Sequence, residues 1–151
     1  MAGATRAQVR QRMRDIIAAC TTLTMGTDIT AAADLSAFPA YEVIISGAAR
    51  SFGNQTKLNG LVYSGRVLVY CAVSSSPDIE KVIFPQIASA EAQLDTLGDW
   101  IAEHNTLNLS TKTPYALGEL VTLEDNNVGV LDYRKTQYVG FILDFSVFVR
   151  H

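Results

Sequence analysis

Residues Gln137–Val149 read QYVGFILDFSVFV. Val139, Phe141, Leu143, Phe145, Val147 and Val149 take every second position without interruption. Side chains along a strand alternate between faces, so these residues point one way. Gly140, Asp144 and Ser146, with Arg150 just beyond, point the other. This alternation predicts a long strand with one face on a core and a more polar face away from it.

Working upstream, Asp132 to Thr136 reads as a hairpin connection. Leu120 to Glu124 reads as a partner strand, interrupted at Asp125-Asn126-Asn127 and resuming over Val128 to Tyr133. Residues 105–118 form a loop region in this reading. Before it, Gln86 to His104 carries Ile87, Ala90, Leu94, Leu97 and Ile101 at helical spacing, with Trp100 at the edge of the stripe. Pro85 is expected to break or kink the chain ahead of that helix. Ser74 to Pro77 reads as a stop followed by a helix start, with Asp78 and Glu80 suited to the positive end of the dipole.

The first half has the same organisation. Thr5 and Gln8 match a capping box, and Val9, Met13, Ile16, Ile17 and Cys20 then form an apolar stripe. Residues 25–40 read as an irregular connection closed by Phe38-Pro39. Tyr41 to Gly47 is a strand, residues 48–60 a long polar hairpin loop, and Leu61 to Val73 a second strand. The order is α-β-β-α-β-β. It predicts an α+β fold in one domain spanning residues 1–151: a four-stranded, mainly antiparallel sheet with two helices on one face.

The chain has 151 residues, 48% of them hydrophobic and 18% charged, which suits one domain with a filled core. Mean hydropathy is +0.16: either the core is well filled or some apolar surface is reserved for a partner, and composition alone does not separate the two. No apolar run approaches the ~18 residues of a membrane span, and the basic N-terminus lacks the apolar region of a signal peptide. Cys20 and Cys71 read as two separate thiols rather than a disulfide.

Net charge is −3, which gives no general attraction to nucleic acid or to an anionic membrane. The charges are segregated, however. Arg6, Arg10, Arg12 and Arg14 precede the first acid, Asp15. Val82 to Thr111 contains no Lys or Arg, yet holds Glu91, Asp95, Asp99 and Glu103 at intervals of four, on one helix face. Arg6, Arg10 and Arg14 step by four in the same way. Either stripe is an ordinary solvated face or lies at a subunit contact, and the acidic one is alternatively a surface for a basic partner or an electrostatically repelling channel wall. Arg50 and Lys57, in the predicted 48–60 loop, are further contact candidates.

Catalytic chemistry finds little purchase. Nucleophilic catalysis needs a base beside the nucleophile, and the histidines are His104, at a helix end, and His151, the last residue. Two His and two scattered Cys lack metal-ligand spacing. The Gly53 to Lys57 segment lacks the phosphate-loop spacing. These features predict a protein that is not an enzyme and needs no cofactor or metal.

Three stretches resemble the tail terminator (tail completion, or neck) proteins of long-tailed bacteriophages. They are the proline entering the first strand in Phe38-Pro39-Ala40-Tyr41-Glu42-Val43, the helix Leu94 to Ile101, and the closing strand Tyr138 to Phe145. Size and element order match across nearly the whole chain. The resemblance implies a virion structural protein, assembled in the host cytoplasm into a ring, usually of six subunits. Its partners would be the tail tube protein and the head–tail connector, with DNA passing through the lumen without specific binding and no membrane involved. Other neck adaptors and tail-tube-like proteins share this architecture. A different class, a small-ligand-binding domain or enzyme, would place Thr113, Tyr115, Tyr133 and Tyr138 around a pocket.

Overall fold

The computed structural model describes residues 4–30, 35, 37–52, 58–74, 84–105 and 118–150. The elements are α1 (Arg6–Ala18), β1 (Thr27–Asp28), β2 (Ala40–Phe52), β3 (Leu58–Val73), α2 (Phe84–Glu103), β4 (Glu119–Tyr133) and β5 (Thr136–Arg150). The fold is α+β, with two helices and a mixed five-stranded sheet in the order β1-β2-β3-β5-β4.

The expected four strands are present, and β1 is the addition. It runs parallel to β2 and covers only Ala40 and Tyr41. Gly26 N–H donates to Pro39 O at 2.8 Å, and Ile29 N–H donates to Tyr41 O at 2.8 Å. A two-residue strand has no periodicity to read, so it was invisible as a pattern. The hairpin between β2 and β3 is also longer than expected. Ala48, Ala49 and Arg50 pair with Tyr63, Val62 and Leu61. Their polar and small side chains reflect exposure, while the backbone ladder continues because β3 is held along its length by β5. Of the predicted 48–60 loop, only residues 53–57 separate the strands, and they lie outside the described residues.

The second hairpin closes as expected. Arg134 and Lys135 take φ of 48° and 67° between the paired residues Tyr133 and Thr136. That is the left-handed pair required by a tight two-residue hairpin turn. The predicted interruption in β4 is a register shift between Asp125 and Val128. The stretch ahead of α2 that Pro85 was expected to break or kink lies outside the described residues, and Pro85 itself lies within the helix. It sits in the first turn of α2, where its missing N–H costs nothing. The proposed helix start at Pro77 to Glu80 lies outside the described residues.

The main core lies between the helices and one face of the sheet. Val9, Met13, Ile16 and Ile17 of α1 and Ala90, Leu94, Leu97 and Ile101 of α2 join Val67, Val69 and the odd-numbered residues of β5 from Val139 to Val149. Each large apolar side chain so buried is worth about 1.5–3 kcal/mol. Gly140 lets β5 approach β3, because a Cβ there would run into the Val69 carbonyl. Thr5 caps α1 in the predicted box: its hydroxyl accepts from Gln8 N–H, and Gln8 Oε1 accepts from Thr5 N–H at 2.8 Å. Trp100 Nε1–H donates to Ile16 O at 2.7 Å and ties the helices together. On the other face a small cluster gathers Ala40, Tyr70, Leu131 and Tyr138.

Candidate functional site

The two predicted charge stripes sit toward opposite edges of one face of the sheet. Helix α1 packs on β2, and α2 packs on β4 and β5. Arg6 and Arg10 are exposed on α1, and Arg50 is exposed on β2. Lys57 lies outside the described residues. Glu91, Asp95, Asp99 and Glu103 are all exposed, on the side of α2 opposite its buried stripe.

Arg14 differs from Arg6 and Arg10 in being paired among the described residues. Its Nη2 lies 2.8 Å from Asp28 Oδ2, and its Nε donates to the same carboxylate at 3.1 Å. The fork ties α1 to β1, and its hydrogen bonding raises the guanidinium pKa further. Among the described residues, no such partner is found for Arg6, Arg10 or Arg50.

Beside this stripe runs an open groove of about 300 Å³, lined by Arg10, Arg14, Ile29, Thr30 and residues 42–45. It follows the side of β2 left uncovered once β1 ends. Pro39 and Tyr41 turn their carbonyls toward β1, so strand alternation turns the backbone groups of Val43 and Ile45 the same way. Glu42 stands at its rim, and burial pushes its carboxyl pKa up.

At the far side, β4 is the outermost strand. It carries Glu119, Glu124, Asp125 and Asp132 and no Lys or Arg. These acids escaped the sequence reading because they follow no helical spacing. Their common feature is membership of one edge strand, visible only once β4 lies outside β5. Among the described residues, the backbone partner found on its outer side is Asn105 O, which accepts from Leu120 N–H at 2.7 Å.

Both edges also expose large apolar side chains. Ile44 and Phe52 on β2 are 39% and 62% exposed, and Val121 and Val130 on β4 are 58% and 41% exposed. Among the residues of the central strands β3 and β5 whose side chains are described, Val73, at a strand end, shows this.

Other candidates have structural occupations. His104 Nδ1 is 2.7 Å from Trp100 O, and its ring lies 4.4 Å from the indole. A carbonyl only accepts, so Nδ1 carries the proton and the imidazole finishes α2. Cys20 and Cys71 are free thiols, and burial pushes Cys71 up to about 12, far from a reactive thiolate. Tyr133 and Tyr138 pack against Tyr70, with centroids 5.4 and 5.5 Å from it, so these rings fill one another's space rather than surround a pocket. Burial raises Tyr70 to about 12. Thr113 and Tyr115 lie outside the described residues. On the uncovered face, Arg66 Nε pairs with Asp144 at 3.1 Å and Thr122 meets Ser146 at 2.7 Å, a polar band satisfied within the sheet.

Among the described residues, no group of three or more His, Cys, Asp or Glu is placed to hold a metal ion. No described helix is long and apolar enough to cross a membrane. No protein-family model matches the chain, and no curated protein matches its sequence.

Proposed function

We propose that the protein is a virion structural subunit that assembles with copies of itself into a ring, caps a phage tail tube and joins it to the head or neck. The observation that carries this reading is the pair of open sheet edges, each exposing apolar side chains in a domain whose interior is otherwise well filled. Unpaired edges invite another chain, and a heterologous contact repeated by rotation closes into a ring. The resemblance in size, element order and closing strand to tail terminators supplies the context. The partners are then the tube protein on one side and the connector on the other. The exposed acids of α2 suit a surface that DNA passes without binding, since like charges repel.

Two measurements test this. Negative-stain electron microscopy of the purified chain should show rings, with six subunits expected. Added to polymerising tail-tube protein, the chain should stop growth and leave short capped tubes. Rings that bind the connector but leave tube length unchanged would assign it to a neck adaptor instead. A monomer under all conditions would remove the reading altogether.

A further inference from the structure

The sheet has a polarity that points to how one copy meets the next. Its β2 side carries Arg6, Arg10 and Arg50, whereas β4 and the helix above it carry eight acids and no base. Beyond β4, bases return in the turn at Arg134 and Lys135 and at Arg150, the last residue of β5.

We propose, resting on the self-assembly reading, that the occupant of each open edge is a second copy docked head to tail. The β4 edge of one subunit pairs with the β2 edge of the next, and Arg6 and Arg10 face the acids of β4 and α2.

Three features carry this. The first is strand direction. β2 is antiparallel to β3, β3 to β5, and β5 to β4, so β2 and β4 run in opposite directions. A neighbour related by rotation about an axis along the strands therefore presents its β2 antiparallel to β4, the favourable ladder. The second is that both helices cover the same face of the sheet. Continuing the sheet sets α2 of one copy beside α1 of the next, acid toward base. The third is that Ile44 and Val121 and their edge neighbours leave water together when the edges join. An isologous dimer would instead oppose arginine to arginine or acid to acid, and like charges across an interface work against it.

The test uses two charge-reversed full-length chains. One carries Arg6→Glu and Arg10→Glu; the other carries Glu124→Lys and Asp125→Lys. All four positions are exposed, and circular dichroism checks that both chains stay folded. At low ionic strength each chain alone should self-associate roughly a hundredfold more weakly than the natural sequence. Mixed one to one they should recover full-size assemblies in which the two chains alternate, read by native mass spectrometry. One chain carrying all four changes should assemble again by itself. Weakening of each reversed chain alone excludes isologous pairing, in which like charge would face like charge before and after the reversal. Unchanged assembly of either reversed chain, or folded chains that stay apart on mixing, overturns the head-to-tail edge contact while leaving the ring reading intact. A natural sequence that never self-associates overturns both.

Discussion

The two helices use the same spacing rule for charge, and the fold treats the results differently. On α1, Arg14 is drawn into the monomer by Asp28, while Arg6 and Arg10 stay exposed beside an open strand edge. On α2, Glu91, Asp95, Asp99 and Glu103 all stay exposed, and the helix is held by its buried stripe and by Trp100 instead. A charge stripe is therefore not one kind of object. Part of the basic stripe is fold, and the acidic stripe is surface throughout. Each helix also has an apolar stripe that supplies the stability the charges do not.

The largest expected effect separates the two faces of α2. Leu97→Ala should cost about 2–5 kcal/mol by leaving a cavity under the helix, measured by urea unfolding. Asp95→Ala on the outer face should instead stabilise the monomer slightly. A Leu97→Ala chain as stable as the natural one would mean that α2 is not packed on the sheet. Next is the tie between the helices. Trp100→Phe keeps an aromatic ring but removes the donor to Ile16 O, and should cost about 1–3 kcal/mol. Thr5→Ala removes the cap of α1 and should cost about 1 kcal/mol, seen as a lower thermal midpoint.

Smaller effects sharpen the contrast within α1. Arg14→Gln should lose about 0.2–1 kcal/mol in low salt, because the Asp28 fork is only partly shielded from water. Arg10→Gln should leave monomer stability within about 0.5 kcal/mol and weaken assembly. Equal effects of the two on unfolding would erase the distinction between fold and surface. Smallest is the relief of like charge along α2. Asp95→Ala should gain roughly 0.2–0.5 kcal/mol for each neighbour it no longer repels, while lowering assembly affinity.

Sequence legibility followed the strength of periodic burial. β5 and the stripes of α1 and α2 were readable because each buries a continuous face against a core. The cap at Thr5 was readable because Gln8 stands at the required distance in sequence. β1 was not, since two residues make no pattern and its pairing depends on where Pro39 and Tyr41 turn their carbonyls. The outer parts of the β2–β3 hairpin were hidden because strand pairing there extends past the core, where Ala48, Ala49 and Arg50 look like loop residues. The candidate surface was half legible. Helical spacing exposed the stripes, but the acids of β4 gained meaning only from the sheet order, which places β4 at the edge opposite β2. The tie at Arg14 was not legible, because Asp28, its partner, is fourteen residues away in an element with no signal of its own.

The most direct measurement of the central claim is light scattering of the purified chain across a salt series. Head-to-tail assembly predicts a particle mass several times the 16.4 kDa of one chain at low salt. That mass should fall toward one chain as salt approaches about 1 M and the screening length shrinks to about 3 Å. A mass of one chain at every salt concentration, or an assembly indifferent to salt, would contradict it.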